Sequence, residues 1–411
     1  WTDQFGVRQF RMLPGAYDSS ESRTAFARLQ LELEAAPHHR TDTGTGVSVN
    51  EVLLAFLRHA ESHYRKPGGD TTNEFDEYKL VARHVRELYG EMPAARFGPL
   101  ALKAIRQKFI DAGWCRGFIN QRVGRVRRIF KWASSEELVP AAVYQSLATV
   151  TGLQRGRSAA RETDPVVPVA DEVVDATLPY LNRHVRGLVE FQRLTGCRPG
   201  EACSLRRCDI DTGGSVWLYR PAAHKTAWRG KRRVIAIGPK AQELLKSFFT
   251  PSPDDYLFSP ARAVEELRAE RSAKRRTPRY PSHLQRNAAK RKKAPQRPPA
   301  AKYDRGSYGV AVDRACDAAF PPPAPLAQRP DETAARWRVR LTAEQWNEVK
   351  AWRKARRWHP NQLRHTFATR VRKQHGLEAA QVLLGHSRAD VTQIYAERNE
   401  ELAAAVAGLI G

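Results

Sequence analysis

The sequence predicts a multidomain, mainly α-helical protein with a small antiparallel β-sheet. Three observations lead there. Apolar residues recur at helical spacing between residues 47 and 150. A charged, Pro-containing connector, RGRSAARETDPVVP, breaks that pattern at 155–168. Beyond it, SVWLYRPAAHKTAWRGKRRVIAIG reads as two strands around a tight basic hairpin, with helices on either side.

In chain order, residues 1–45 form a small N-terminal extension. RQFRMLPGAYDS suggests a strand and a turn, and SSESRTAFARLQLELEAA a helix with Ser19 and Ser20 as cap candidates and Phe26, Leu29 and Leu33 on one face. HHRTDTGTG, at 38–46, has the composition of a linker. Residues 46–154 are expected to be an all-helical domain. VSVNEVLLAFLRHAESHY aligns Val52, Leu53, Phe56 and Leu57; EFDEYKLVARHVRELYG aligns Tyr78, Val81, Val85 and Leu88. In RGFINQRVGRVRRIFKWASSEEL the apolar stripe is Ile119, Val123, Val126, Ile129, Phe130 and Ala133. Arg122, Arg125, Arg128 and Lys131 lie mostly off that stripe. They make a basic face suited to a phosphate backbone, or a merely solvated one.

The third part, 169–411, is expected to be mixed but mostly helical. DEVVDATLPYLNRHVRGLVEFQRLTG carries two helices, the hairpin follows, AQELLKSFF is a helix, DDYLF a short strand, and helices dominate from 306. Two insertions interrupt it. The first, 261–300, holds thirteen Lys and Arg against three Glu, and reads as a disordered basic segment or a loop that hugs DNA. The second, 320–340, opens with FPPPAPLAQRP.

Charge narrows the function. The 411-residue chain carries 69 Lys and Arg against 44 Asp and Glu, a net charge of +25 and a pI near 10.2. A field of that sign attracts polyanions and releases their counterions, so nucleic acid leads the list of partners. No apolar run approaches the ~20 residues that span a bilayer. The five cysteines, at 115, 197, 203, 208 and 316, form no CxxC pair, and no His cluster has zinc-finger spacing. Reduced thiols in a cytoplasmic protein are the expectation.

Four short stretches carry candidate chemistry. In LTGCRPGEACSL, Gly196 and the Pro199-Gly200 pair hold Arg198 at a kink, with Glu201 three residues on. AHKTAWRGKRR puts Lys225, and further on Lys231, on the hairpin. HPNQLRHTFATR contains Asn361, Arg364 and His365. In LLGHSRADVTQIYAERN, Gly385 stops a helix, His386 sits in the turn, and Tyr395 follows nine residues later. Each stretch alone is a weak signal, since a lone Tyr or Arg on an amphipathic helix is usually core, surface or ion-paired.

Together and in this order they resemble the tyrosine recombinases of the phage integrase family. TGCRPGE, HKTAWRGKRR, NQLRHTFAT, LGHS and VTQIYAER carry the resemblance, which is strong over roughly 165–411. It implies a helical, SAM-like core-binding domain over 46–154 and an α+β catalytic domain over 169–411, closing as a C-shaped clamp on double-stranded DNA. It implies DNA integration and recombination for a mobile element, through strand cleavage by Tyr395 and a 3′-phosphotyrosyl intermediate. Arg198 and Arg364 would clamp the non-bridging oxygens, Lys225 protonate the leaving 5′-oxygen, His386 donate a hydrogen bond, and Glu201 orient Arg198. No metal or other cofactor is implied. A homo-oligomer, a tetramer on paired sites, is implied, and the apolar end EELAAAVAGLIG would dock on a neighbouring protomer or on its own domain.

One position departs from the family. A His usually stands three residues before the second Arg; here it is Asn361. An amide donates and accepts hydrogen bonds but does not carry a proton at neutral pH. Asn361 can bind the scissile phosphate, but a general-base role does not transfer. The departure keeps open a DNA-binding protein of the same fold with weakened catalysis; a topoisomerase-like enzyme is the other alternative. His365 is expected to be structural, turned about 100° from Arg364 on the helix.

Overall fold

The computed structural model describes residue 10 and residues 12–35, 47–65, 68–222, 232–278, 280–290 and 298–385. The chain divides into two compact units, Trp1–Pro165 and Val166–Gly411.

The first unit opens with bends and a turn at 14–18, where a turn is expected; most of the strand expected before it lies outside the described residues. Helix α1 (Ser20–Ala35) follows, with Phe26 half-exposed. Arg28 on α1 lies over the Tyr89 ring at 4.4 Å and bonds the Leu88 carbonyl. Five further helices build the core: α2 (Val49–His63), α3 (Asn73–Tyr89), α4 (Pro99–Asp111), α5 (Arg116–Ser135) and α6 (Ala141–Ala148). Ser48 starts α2 with a capping box, its N–H donating to Glu51 Oε2 at 2.7 Å while its hydroxyl accepts from the Glu51 N–H.

Helix α5 is the axis of this unit, packed by α2, α3, α4 and α6. Its stripe Ile119, Val123, Val126, Ile129, Phe130 and Ala133 is buried, and Phe130 stacks on Phe97 with centroids 4.3 Å apart. Each buried large apolar side chain contributes about 1.5–3 kcal/mol. Surrounded on so many sides, α5 has little face left for solvent. Arg122 and Arg125 are therefore buried, at 1% and 8% exposure, and do not form the basic surface expected of them. Arg122 Nη1 lies 2.5 Å from Glu77, and its guanidinium covers the Phe118 ring at 3.3 Å. Arg125 makes a two-pronged contact with Glu74 at 3.0 and 2.7 Å. Arg128 and Lys131 remain exposed.

The second unit begins with α7 (Asp171–Thr177), α8 (Arg183–Thr195) and α9 (Pro199–Cys203). Three short strands follow, β1 (Ile210–Asp211), β2 (Trp217–Tyr219) and β3 (Ile235–Ile237), antiparallel in the order β1-β2-β3. Tyr219 pairs with Ile210 on one side and Ile235 on the other. Then come α10 (Pro239–Lys246), α11 (Pro260–Ala273), α12 (Pro281–Lys290), α13 (Arg305–Ala319), α14 (Ala334–Arg340), α15 (Ala343–Arg356) and α16 (Pro360–Leu384), the last broken at Gly376. DDYLF is not a strand: only Tyr256 bridges, to Arg206. The core is built on α8, whose Val185, Leu188, Val189 and Phe191 join Tyr219, Phe248, Phe258, Trp358 and Leu363. Packing of α16 on α8 sets the position of the candidate site.

Both insertions are ordered where described. Residues 261–300 contain α11 and the exposed α12 in place of a loop, and the Ala261 N–H meets the Ala300 carbonyl at 3.2 Å, closing the base of the insertion. The Pro-rich stretch folds onto a small core of its own, Leu326, Trp337, Leu341, Trp346 and Val349. Arg340 fastens it, with Nε and Nη2 on Glu332 at 2.8 and 3.0 Å. The linker 38–46 and the apolar C-terminal end lie outside the described residues.

Candidate active site

The site starts where α8 stops. Gly196 takes the left-handed conformation, φ +62°, and its N–H caps the Gln192 carbonyl at 2.8 Å. A Cβ at this position would lie 2.2 Å from Phe367 Cδ1 on α16, so only glycine lets the two helices meet here. Cys197 follows, fully buried, its thiol pushed up to about 12 by that burial. Arg198 is the N-cap of α9, and Pro199 supplies a first helical residue that needs no N–H partner.

Glu201 orders Arg198 twice. Its Oε2 accepts the Arg198 backbone N–H at 2.8 Å, and its Oε1 accepts Arg198 Nη1 at 2.9 Å. Glu201 is only 4% exposed, whereas the Arg198 side chain keeps 30% of its surface open. Tyr219 on β2 donates its hydroxyl to the Glu201 carbonyl at 2.9 Å, pinning α9 to the sheet. Burial, the largest influence on Glu201, favours its neutral form. The Arg233 charge, the Arg198 N–H and the Arg198 guanidinium outweigh it and hold the carboxyl below its usual range.

Arg364 comes from α16 and is completely buried. Nη1 donates to the Gly196 carbonyl and Nη2 to the Leu384 carbonyl, each at 2.8 Å. One guanidinium thus ties the end of α8, two residues before Arg198, to the end of α16, two residues before His386. Such planar, charge-assisted bonds fix its orientation. Gly385 ends α16 in the left-handed conformation, φ +64°.

Asn361 sits half-buried in the first turn of α16. Its Nδ2 is 3.5 Å from Nε2 of His365, at the outer limit of hydrogen bonding. His365 is 5% exposed and one turn after Asn361, as a structural residue would be. Thr366, also on α16, exchanges both hydrogen bonds with the Val169 backbone, at 3.0 and 2.9 Å. Of the three cysteines near Arg198, Cys197 and Cys203 are buried in the core and Cys208 is exposed. Lys225, Lys231, His386 and Tyr395 lie outside the described residues.

The arrangement contains one residue that the sequence did not single out. Arg233, just before β3, is 6% exposed, and its Nε lies 3.4 Å from Glu201 Oε1. It is hidden in the run GKRR, where nothing in composition separates the buried Arg233 from the exposed Arg232 before it. The only available signal was its place two residues before the apolar pair Ile235 and Ile237.

Residues 331–401 match the model of the phage integrase family. No curated protein matches the chain. Several solved structures do. The Tn1549 transposon integrase (residues 82–397) in complex with circular intermediate DNA superposes with a TM-score of 0.51 at 15% identity, over 88% of this chain and 99% of that one. A lambda integrase tetramer bound to a Holliday junction gives 0.52 at 14% identity, over 97% and 91%. The XerH site-specific recombinase bound to a palindromic difH substrate, a post-cleavage complex, gives 0.53 at 13% identity, over 90% and 99%. At these identities the likeness is one of fold.

Proposed function

Since residues 331–401 match the phage integrase family model and the chain shares the fold of solved tyrosine recombinases, we propose that the protein cleaves and rejoins duplex DNA at specific sites through a phosphotyrosyl intermediate. The observation that carries this reading is the seat of Arg364. Its two carbonyl bonds draw the TGCRPGE and LLGHS stretches, distant in sequence, to one guanidinium.

The proposed reaction balances simply. The Tyr395 phenolate, its proton given up to water, attacks phosphorus, and the bond from phosphorus to the 5′-oxygen breaks. The 3′-phosphate is then held on Tyr395, and the leaving 5′-oxygen takes a proton from Lys225. Attack of a 5′-hydroxyl on the phosphotyrosine reverses these steps and rejoins the strand, with no external energy source. Arg198 and Arg364 stabilise the charge on the non-bridging oxygens, where preorganised donors act most strongly. His386 adds a hydrogen bond, and the Asn361 amide binds the phosphate without exchanging a proton. Glu201 keeps Arg198 in place from beneath, its ionised form secured by two arginines. A phenol ionises near pH 10 in water, so the cations around the phosphate also favour the tyrosinate.

In the first unit, Arg128 and Lys131 are the proposed phosphate contacts of α5. Recombination joins two sites, so several protomers act together on DNA, as in the lambda integrase tetramer. The proposed compartment is the cytoplasm; no described helix is long and apolar enough to cross a membrane. The test uses nicked duplexes with a randomised core, from which the cleaved fragment diffuses and traps the adduct. The native protein is expected to become covalently linked to DNA and Tyr395→Phe to remain free. Native protein that binds the pool yet never forms the adduct would favour a binding-only protein.

A further inference from the structure

We propose that Arg233 is a positioning residue for DNA cleavage, coupling the Glu201–Arg198 pair to the turn at Gly385. The inference rests on the recombinase reading above. Its basis is a set of contacts that converge on one buried guanidinium. Nε lies 3.4 Å from Glu201 Oε1, the same oxygen that takes Arg198 Nη1 at 2.9 Å. Nη1 donates to the Val234 carbonyl at 3.2 Å and the Leu383 carbonyl at 3.4 Å. A Cβ on Gly385 would lie 2.1 Å from Nη1, so the end of α16 is shaped around this side chain. Residues 383–385 thereby receive Arg233 on one carbonyl and Arg364 on the next. The residue after them is His386.

Packing alone does not account for an arginine here. Its Nε and Nη2 have no hydrogen-bond partner among the described residues, and a buried charge so incompletely bonded is easily bettered by an apolar side chain of similar size. What an apolar side chain cannot do is share Glu201. A single Arg–Glu pair is neutral; two arginines on one carboxylate leave a net positive charge, available to a phosphate. Arg233 thus keeps Arg198 ordered without cancelling it, and ties that order to the end of α16 at Leu383.

Among the described residues, the charged groups that act on the Glu201 carboxylate are Arg198 before α9 and Arg233 before β3; the neutral Cys197 thiol and Tyr219 hydroxyl lie near it, and Arg364 from α16 acts on Cys197. Removing Arg233 leaves burial acting on Glu201 with one cation fewer. Its folded-state pKa then rises, and the acid limb of the cleavage profile moves to higher pH.

The experiment compares native protein, Arg233→Met and Arg233→Lys on the nicked duplexes, under single turnover at saturating DNA. DNA affinity and thermal unfolding are measured on the same samples. Arg233→Met is expected to cleave roughly 100-fold more slowly with affinity within about threefold of native, the loss typical of misplaced catalytic groups. Its acid limb should move to higher pH, while Arg233→Lys keeps the native limb and recovers only part of the rate. Native-like cleavage by Arg233→Met, or a loss matched by lost affinity or folded fraction, overturns the proposal. If the native protein forms no adduct, the recombinase reading falls and this inference falls with it.

Discussion

Asn361 is the residue at which this chain departs from the motif of the tyrosine recombinases it resembles. The amide sits one turn from the buried His365, 3.5 Å from its Nε2. In the proposed reaction it would offer the phosphate a donor that does not titrate. We expect Asn361→His to add a titration near pH 6.5 to the cleavage profile and to raise the rate by about tenfold at most, the scale of a single hydrogen bond to a charged group. The gain should grow as pH falls through that value, because the protonated imidazole is the stronger donor to an anion. Single-turnover rates between pH 5.5 and 8.5 check this; superimposable profiles for the two proteins would mean that position 361 does not touch the phosphate. Arg122 and Arg125 show the opposite case, where chemistry alone misleads about a residue's role. Both look like surface cations in a window of sequence. Their burial is decided by Glu77 and Glu74 on another helix, forty and more residues away, and by the crowding of α5 on four sides.

At the scale of elements, two helix ends make the site. Both stop at a glycine in the left-handed conformation, and both give a carbonyl to Arg364, Gly196 directly and α16 through Leu384. Gly196→Ala is expected to cost about 2–4 kcal/mol, from the unfavourable φ and the overlap with Phe367. Thermal unfolding of the second unit reports it; an unchanged transition would show that α8 and α16 are not held at this contact. These helix stops were legible in the sequence because Gly after an apolar-periodic run is a local signal. So were the helices themselves and the β2–β3 pairing, which announce themselves within windows of ten to twenty residues. DDYLF was not, since its strand-like composition is used in a single bridge plus a core contact, a choice made by the partner Leu205–Arg206 segment. The insertions were legible as charge and proline but not as structure. Trp337 and Trp346 build their own small core there, through packing the linear pattern does not register. Of the candidate site, Arg198, Glu201 and Arg364 were proposed from motifs, and the structure places Glu201 against Arg198 and Arg364 against the Gly196 carbonyl. Arg233 was missed because its meaning lies in its ion pair with a residue more than thirty positions earlier.

Across the whole molecule, a net charge of +25 fits a protein whose partner is a polyanion. The exposed end of the basic insertion concentrates part of that charge in Arg275, Arg276, Arg286 and Lys290. Replacing these four with Gln leaves the core untouched and is expected to flatten the dependence of DNA affinity on salt, by about 0.9 in log–log slope for each phosphate that is no longer neutralised. An unchanged slope would place the insertion away from DNA. The central claim, that the charge and the two tied helix ends serve transesterification at Tyr395, has a more direct test. The covalent adduct trapped on nicked DNA is digested with nuclease and trypsin, and the modified peptide is sequenced by mass spectrometry. The account predicts a 3′-nucleotide phosphate on the single tyrosine of ADVTQIYAER, residues 389–398. A nucleotide on any other side chain, or a 5′-linked phosphate, would contradict it.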